Sequence, residues 1–328
     1  MQHDKTSSLD KTGVCKIGAS YPDQGRPNVS PHQTPSGKIG FVGLGLMGTA
    51  MAANLVASRF PVTAYVRRPP QMNELRALGV APTMNISDLL GCEILISMLP
   101  NDNVVRDVVF GREGINGLAD RLPKGAIHLS MSTISTAATV EFARGHLDRG
   151  QGYVAAPVFG NPDAAKARQL SIIVAGDEMY CARCLPLVES LGYPFLVGSD
   201  PRQANLIKLL GNMMTATSLE VLGEVTAVLR KSGQDPRQFV DIMTRTMFGS
   251  RFHKIYGSRI VAGDYVPGLS MPLALKDVRL ALAEAENAGA PMPSVSVVRD
   301  RMITAIARGH AELDWTALGL VAAEEAGL

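Results

Sequence analysis

From residue 38 onward the chain alternates short apolar runs with longer segments in which apolar residues recur every three or four positions. The apolar runs cover residues 38–42, 62–66, 92–99, 126–132, 153–158 and 170–176, and amphipathic segments such as 49–59 and 70–79 separate them. Strand, helix and strand in repetition predict a parallel sheet with helices on both faces. We therefore expect an α/β domain over residues 38–202.

Beyond residue 202 the strand-like runs stop and a helical pattern takes over. An apolar stripe with the period of an α-helix runs through Leu206, Leu209, Leu210, Met213, Met214, Thr217, Val221, Leu222, Val225 and Val228. A stripe of this length predicts one long helix with at least one buried face. Further helical segments follow from Asp235-Pro236, at 273–289, at 293–309 and from Asp314. Residues 203–328 are therefore predicted to form an all-α C-terminal domain.

The first 37 residues differ from the rest of the chain. They are rich in Ser, Thr, Pro, Gly and charged residues and show no apolar periodicity, which predicts a disordered extension. They also lack the apolar segment of a secretory signal, so we expect a cytoplasmic protein.

Composition argues against several classes of function. The 32 basic and 30 acidic residues are interspersed along the 328-residue chain, so no nucleic-acid partner is expected. No apolar run reaches the roughly 18 residues that span a bilayer, so no membrane partner is expected. The six histidines are scattered without metal-ligand spacing, so no metal site is expected.

A glycine-rich motif follows the first predicted strand and opens the first predicted helix. Gly43, Gly45 and Gly48 have the G-x-G-x-x-G spacing of Rossmann-type dinucleotide-binding domains. The first glycine permits a tight turn, the second lets the backbone approach a pyrophosphate, and the third allows close helix packing. Free N–H groups at the start of the helix, at Leu46 and Met47, would complete a phosphate site. These five residues are predicted to bind the cofactor.

The choice between nicotinamide cofactors is made at the end of the second predicted strand. An NAD enzyme places an acidic residue there, on the 2′-hydroxyl of the ribose. This chain has Arg67 and Arg68 instead, and no carboxylate occurs between Gly48 and Glu74. Guanidinium groups bind a 2′-phosphate through charge-assisted hydrogen bonds, which favours NADP (as NADPH in reduction) over NAD.

Five motifs in a fixed order make the chain resemble the β-hydroxyacid dehydrogenases. They are the segment 38–55, Met98-Leu99-Pro100, Ser132-Thr133-Ile134, the Lys208–Asn212 spacing and the Lys276-Asp277 pair. This family includes 3-hydroxyisobutyrate dehydrogenase and several semialdehyde reductases, and its NADP-binding domain is of the 6-phosphogluconate dehydrogenase type. The resemblance extends from residue 38 to about residue 320. It implies an NADP-dependent oxidoreductase that acts on a small molecule and forms a homodimer or a higher homo-oligomer.

The resemblance also implies roles for individual residues. Cofactor contacts are expected from Met98, Leu99, Pro100, Ser132, Thr133 and Lys276, and Ser132 would contact the substrate as well. Lys208 would be the general acid that protonates the substrate carbonyl, and Asn212, one helical turn further on, would orient substrate and lysine. A lysine inside an apolar stripe is costly to bury as a cation, which supports a functional role for Lys208.

One segment departs from the family pattern. Where the family has a serine followed by two glycines, a segment that holds the substrate, this chain has Phe159, Gly160 and Asn161. A phenyl ring supplies no hydroxyl, so at the mouth of the site it favours a less polar or larger substrate. The alternative is a ring that points into the sheet and leaves the pocket unchanged.

Together these patterns predict an oxidoreductase that reduces an aldehyde or ketone, or oxidises the corresponding alcohol. One alternative is an imine reductase, which shares the architecture but often lacks the lysine. Another is a non-catalytic NADPH-binding scaffold or sensor. The presence of Lys208 argues against both alternatives.

Overall fold

The computed structural model describes residues 37–246 and 248–328. The predicted disordered extension over residues 1–37 lies, apart from Gly37, outside the described residues. Among the described helices, none combines the length and the apolar character that crossing a membrane requires.

Strands and helices alternate through the first part of the chain, as the apolar pattern predicts. In chain order they are β1 (Ile39–Val42), α1 (Leu46–Ala57), β2 (Val62–Tyr65), α2 (Pro70–Ala77), β3 (Ala81–Thr83), β4 (Ile94–Ser97), α3 (Asp102–Val109), β5 (Gly111–Arg112), β6 (Ile115–Asn116), β7 (Ile127–Ser130), α4 (Thr136–Leu147), β8 (Gly152–Ala155), β9 (Val158–Phe159), α5 (Pro162–Lys166), β10 (Leu170–Gly176), α6 (Glu178–Leu191) and β11 (Gly192–Gly198). The central strands are continuous apolar runs because both faces of the sheet are covered.

Nine of these strands form one sheet. Eight follow the order β11-β10-β8-β7-β4-β1-β2-β3, and β9 pairs with β10. Every pairing from β3 to β8 is parallel, and Val42 in β1 is aligned with both Tyr65 in β2 and Ser97 in β4. The sheet departs from the predicted parallel order at one side, where β10 runs antiparallel to β8 and β9. Only β9 and the five-residue α5 connect β8 to β10, and without a long crossover helix the chain returns antiparallel.

Two apolar layers cover the two faces of the sheet. Ile39 and Phe41 belong to one layer and Val42 and Leu95 to the other, because successive side chains of a strand point to opposite faces. Helices α1 and α6 supply apolar side chains to the first layer, and α3 and α4 supply them to the second. The sheet is therefore wound on both sides, which leaves its carboxyl-end edge open for a ligand.

After β11 the chain is helical, as predicted. The helices are α7 (Pro201–Lys231), α8 (Pro236–Thr244), α9 (Arg251–Ala262), α10 (Met271–Asn287), α11 (Pro293–Ala307) and α12 (Leu318–Glu325). A third apolar core lies among them and includes Leu209, Met213, Leu275 and Val321. The 31-residue α7 packs against α10, α11 and α12 and also against α4 and β10, so it joins the helical part to the sheet.

The apolar stripe predicted for α7 is only partly buried. Leu209 and Met213 face the core, but other large apolar residues of the stripe are exposed: Leu206, Leu210, Met214, Val221 and Val228. Small residues share the buried side because a neighbouring backbone approaches closely there. A Cβ at Gly223 would lie 2.7 Å from the Cα of Gly319. The five exposed residues form an outward surface, called here the α7 apolar face.

Candidate active site

Three glycines shape the turn between β1 and α1 into a cradle. Gly43 has a φ of +97°, and a Cβ there would lie 2.2 Å from the carbonyl oxygen of Met98. A Cβ at Gly48 would lie 2.0 Å from the carbonyl oxygen of Gly43, whereas one at Gly45 would meet open space. The first and third glycines therefore allow close packing, and the second leaves the backbone open to a ligand.

The N-terminus of α1 suits a diphosphate group. The helix begins at Leu46, with Gly45 as its first flanking residue, and no side chain caps its first N–H groups. Leu46 is exposed and Met47 is half-buried. Uncapped N–H groups and the positive end of the helix dipole attract an anion, so this cradle fits the diphosphate of a nicotinamide dinucleotide.

Arg67 and Arg68 lie at the same edge of the sheet as the glycine turn. They follow β2, which pairs with β1 in parallel, so the carboxyl ends of the two strands are adjacent. Both arginines are exposed, and their guanidinium groups are accessible to a ligand. Two accessible guanidinium groups at this position fit the 2′-phosphate that distinguishes NADP from NAD.

The loops after β4 and β7 complete this edge. The N–H of Met98 donates to the carbonyl of Val42 at 3.0 Å, which holds the first loop against the glycine turn. The hydroxyl of Ser132 accepts from the N–H of Leu99 at 2.8 Å and donates to the carbonyl of Ser97 at 3.4 Å. These two hydrogen bonds link the two loops. Ser132 is fully buried, and its contact with a substrate stays a prediction.

Lys276 ties α10 to the same two loops. Its Nζ donates to the carbonyl oxygens of Pro100 at 3.0 Å and Thr133 at 2.6 Å. It also forms an ion pair with Oδ1 of Asp277 at 2.9 Å. The structure therefore brings together three predicted cofactor segments that are far apart in the sequence.

A chain of buried polar groups runs from α7 to α10. The Nζ of Lys208 donates to Oδ1 of Asn212 at 2.8 Å, and Nδ2 of Asn212 donates to Oδ2 of Asp277 at 2.6 Å. The three residues are 7%, 5% and 3% exposed, so this chain is withdrawn from bulk water. Through Asp277 it continues to Lys276 and the loops after β4 and β7.

Burial controls the acidity of Lys208. It is the largest influence, and it lowers the pKa of the ammonium to about 8. The carboxylate of Asp277 acts in the opposite direction, and the ammonium of Lys276 lowers the pKa further. An amine with a pKa near 8 is protonated at neutral pH and gives up its proton more readily than an exposed lysine, as a general acid must.

Phe159 lies beside this lysine. The Nζ of Lys208 is 4.4 Å from the centroid of the phenyl ring, and the residue is half-buried against the apolar layer of the sheet. Gly160 is exposed, and Oδ1 of Asn161 accepts from the N–H of Ala164 at 2.9 Å as the N-cap of α5. The roles of Gly160 and Asn161 in binding a substrate stay predictions.

Two candidate functional residues receive no role from the sequence, although Asp277 belongs to one of the five motifs. Gly211 packs against the ring of Phe159, and Asp277 orients Asn212. The sequence pattern around Asp277 is informative, because this residue lies on the side of α10 that carries the buried residues Ala274, Val278 and Ala281. A carboxylate on the apolar side of a helix requires a polar partner.

Two family descriptions match the chain in succession. Residues 38–199 match the NAD binding domain of 6-phosphogluconate dehydrogenase. Residues 203–321 match the NAD-binding region of NADP-dependent 3-hydroxyisobutyrate dehydrogenase.

Similar proteins cover nearly the whole described chain. An uncharacterized oxidoreductase of Bacillus subtilis (strain 168) is 35% identical over 285 residues, which are 86% of this chain and 98% of the relative. The 2-hydroxy-3-oxopropionate reductase of Escherichia coli (strain K12) is 30% identical over 283 residues, or 86% and 95% of the two chains. The structure of Mycobacterium tuberculosis 3-hydroxyisobutyrate dehydrogenase with L-serine has a TM-score of 0.75 at 26% identity, covering 87% and 98%.

More distant solved structures share the fold. Imine reductases and reductive aminases do so at 20–21% identity, with TM-scores of 0.54 to 0.56. Two solved structures of this fold contain NADP+ or NADPH. The arginine pair of this chain fits the 2′-phosphate of that cofactor. From its motifs, its site and these similarities, the chain belongs to the 3-hydroxyisobutyrate dehydrogenase-like β-hydroxyacid dehydrogenases and is an NAD(P)-dependent oxidoreductase.

Proposed function

We propose that the protein reduces an aldehyde or ketone to an alcohol with NADPH, and that Lys208 donates the proton. The observation that supports this most is the buried chain Lys208–Asn212–Asp277, which holds one ammonium in place beside the cofactor loops. The bound cofactor supplies a hydride to the carbonyl carbon. The cofactor is assigned to residues 38–202, and the helices of residues 203–328 contribute the proton donor.

In this proposal each buried residue has a separate task. Lys208 gives an Nζ proton to the carbonyl oxygen, which becomes the alcohol O–H, and the neutral amine regains a proton from water. Asn212 holds the ammonium through its side-chain oxygen, and Asp277 fixes the orientation of that amide. Burial favours the neutral amine that remains after the transfer, since the charged form is the costly one in a low-dielectric site. The reverse sequence oxidises the alcohol, with Lys208 as the base.

The substrate proposed is a small carbonyl compound, as the name of the Escherichia coli relative also indicates for that protein. An imine reductase and a non-catalytic NADPH-binding protein are the alternatives. Both are disfavoured by a lysine that is buried, hydrogen-bonded and lowered in pKa. Imine reductases often lack this lysine, and a non-catalytic protein has no use for a proton donor.

Assembly into a homodimer or higher oligomer is part of the same proposal. The α7 apolar face supports it, since large apolar side chains on one side of a long helix are suited to burial against a second copy. A cytoplasmic location stays a prediction.

The test is NADPH consumption by the purified protein with a panel of aldehydes, ketones and imines. Lys208→Ala is expected to lower kcat about 10²–10⁴-fold while NADPH binding stays unchanged. Lys231→Ala, at the exposed end of the same helix, is the matched control and should retain the full rate. NADPH binding without turnover of any compound would favour the scaffold, and turnover restricted to imines would favour the imine reductase.

A further inference from the structure

The ring of Phe159 and the absence of a side chain at Gly211 form a complementary pair. A Cβ built on Gly211 would lie 2.3 Å from Cζ and 2.6 Å from Cε1 of the Phe159 ring. Real Cβ atoms do not approach a carbon atom so closely, so any larger residue at 211 would displace the ring. The ring can therefore pack this closely against α7 only because residue 211 is a glycine.

The strand that carries Phe159 fixes the ring from the other side. β9 pairs antiparallel with β10, and Phe159 is aligned with Ser171 while Val158 is aligned with Ile172. Val158 points to the opposite face of the sheet from Phe159 and is buried in the apolar layer there, which anchors the strand. The ring is thus held between a paired strand and the surface of a long helix.

The position of the ring on α7 places it over the proton donor. Lys208 and Gly211 are three residues apart and share one side of the helix. The Nζ of Lys208 lies 4.4 Å from the ring centroid, within the range of a cation–π contact. One side of the ammonium therefore faces Asn212, and another faces an aromatic surface.

This surface determines what can sit next to a reacting carbonyl. A carbonyl oxygen that takes a proton from Lys208 is within hydrogen-bond distance of Nζ, so the group attached to its carbon lies near the ring. A phenyl ring offers no hydrogen-bond donor, and a carboxylate pressed against it would lose water without gaining a partner. An apolar or planar group would bind favourably there, because packing against the ring removes its surface from water.

Resting on the proposed function, we infer that Phe159 and Gly211 select carbonyl substrates whose reacting carbon carries an apolar group rather than a carboxylate. Phe159 is the specificity residue, and Gly211 is the positioning residue that leaves space for the ring against α7. This assigns the protein a substrate class different from the short acids that a hydroxyl at position 159 would bind.

The experiment uses aldehydes that differ only in the group on the reacting carbon. Glyoxylate carries a carboxylate, acetaldehyde a methyl group and benzaldehyde a phenyl ring. We expect kcat/KM to rise in that order, with at least about a tenfold preference for benzaldehyde over glyoxylate. Phe159→Ser is expected to reverse the preference, and Gly211→Ala to weaken it by displacing the ring. Phe159→Leu keeps an apolar side chain and should preserve the order.

Binding separates this inference from the proposed function. Dissociation constants of benzyl alcohol and glycolate for the complex with NADP+ require no turnover. If no aldehyde is reduced but Phe159→Ser shifts binding toward glycolate, the proposed function fails and the specificity assignment stands. If aldehydes are reduced and Phe159→Ser lowers the melting temperature without changing the order of preference, the ring is only a core residue and the inference is wrong.

Discussion

The side-chain amide of Asn212 donates to the carboxylate of Asp277 at 2.6 Å, and this contact decides which way the amide faces. A carboxylate only accepts hydrogen bonds, so Nδ2 must be on its side. The Oδ1 atom then faces Lys208, whose ammonium only donates, at 2.8 Å. Asp277 therefore acts on Lys208 both through this oriented amide and through its charge.

The first prediction concerns the pH dependence of the reaction. Because burial lowers the pKa of Lys208 to about 8, the protonated donor is lost as the pH rises through that value. The kcat/KM for carbonyl reduction should fall above pH about 8, and that for alcohol oxidation should rise to a plateau. Steady-state rates across pH 6 to about 10 measure both limbs. A reduction rate that stays constant across this range would remove Lys208 from the proton transfer.

The second prediction tests the charge of Asp277. Its carboxylate raises the pKa of Lys208 and so opposes the effect of burial. Asp277→Asn should therefore shift the fall in kcat/KM for reduction, called here the pH limb, to lower pH. Asp277→Glu keeps the charge and should leave the limb near its original position. A purely structural role would lower the rate at every pH without moving the limb. Lys208→Ala should abolish the limb altogether.

The elements with strong periodicity are predictable from sequence, and the edge elements are not. The strand runs at 92–99 and 126–132 contain β4 and β7, because fully buried strands need continuous apolar residues. β11 is missed because it lies at the edge of the sheet, where Pro194 is tolerated and Tyr193 is exposed. Pattern alone does not distinguish such a strand from a loop.

Contacts between distant segments account for the rest. The period of α7 predicts the helix, but which side is buried depends on the close approach of Gly223 to Gly319. The relation of Lys208 to Asn212 follows from helix geometry, since the two residues are four apart. The link from Asn212 to Asp277 depends on how α7 packs on α10, which no local pattern determines.

The third prediction concerns cofactor choice. Arg67 and Arg68 are exposed beside the glycine turn, where only a 2′-phosphate distinguishes NADPH from NADH. Replacing both with Ala should weaken NADPH binding by about 1.5–3 kcal/mol, one to two decades in Kd, and leave NADH nearly unchanged. Fluorescence titration of both cofactors measures this. Arg76→Ala, exposed on α2, is the control, and equal losses for both cofactors would refute the assignment.

Two buried histidines form a second polar chain in the sheet domain. Gln151 donates from Nε2 to the carbonyls of Ala119 and Leu122, so its Oε1 accepts from Nδ1 of His146 at 2.8 Å. Nε2 of His146 then accepts from Nδ1 of His128 at 2.9 Å. Nε2 of His128, in turn, accepts from the hydroxyl of Ser97 at 2.8 Å. Both rings are neutral in this arrangement, because each has one donating and one accepting nitrogen.

The fourth prediction follows for acid stability. Burial lowers the pKa of His146 to about 4 and that of His128 well below its ordinary value. Between about pH 6.5 and 4 the two histidines bind protons in the unfolded chain but not in the folded chain. Their contribution to the free energy of unfolding is therefore complete above pH 6.5 and declines as the pH falls. The free energy of unfolding should drop by about 1.4 kcal/mol per pH unit for each histidine. Urea unfolding at pH 7 and pH 5 measures it, and H128N/H146Q should flatten the dependence whatever its stability at pH 7.

The last prediction concerns assembly through the α7 apolar face. Met214 is 76% exposed and Val221 51% exposed, and the two lie seven residues apart on one side of the helix. Apolar side chains of this size contribute about 25 cal/mol per Å² when a second copy covers them, whereas a pair of glutamates there would have to be buried as charges. If the proposed oligomer assembles through this face, M214E/V221E should convert it to a monomer in light scattering. Val297→Glu, on the exposed side of α11 and 53% exposed, introduces the same charge elsewhere and should leave the mass unchanged. If the unaltered protein is a monomer, or if M214E/V221E keeps the mass of an oligomer, assembly through this face is ruled out, because two buried carboxylates could not persist in a stable apolar interface.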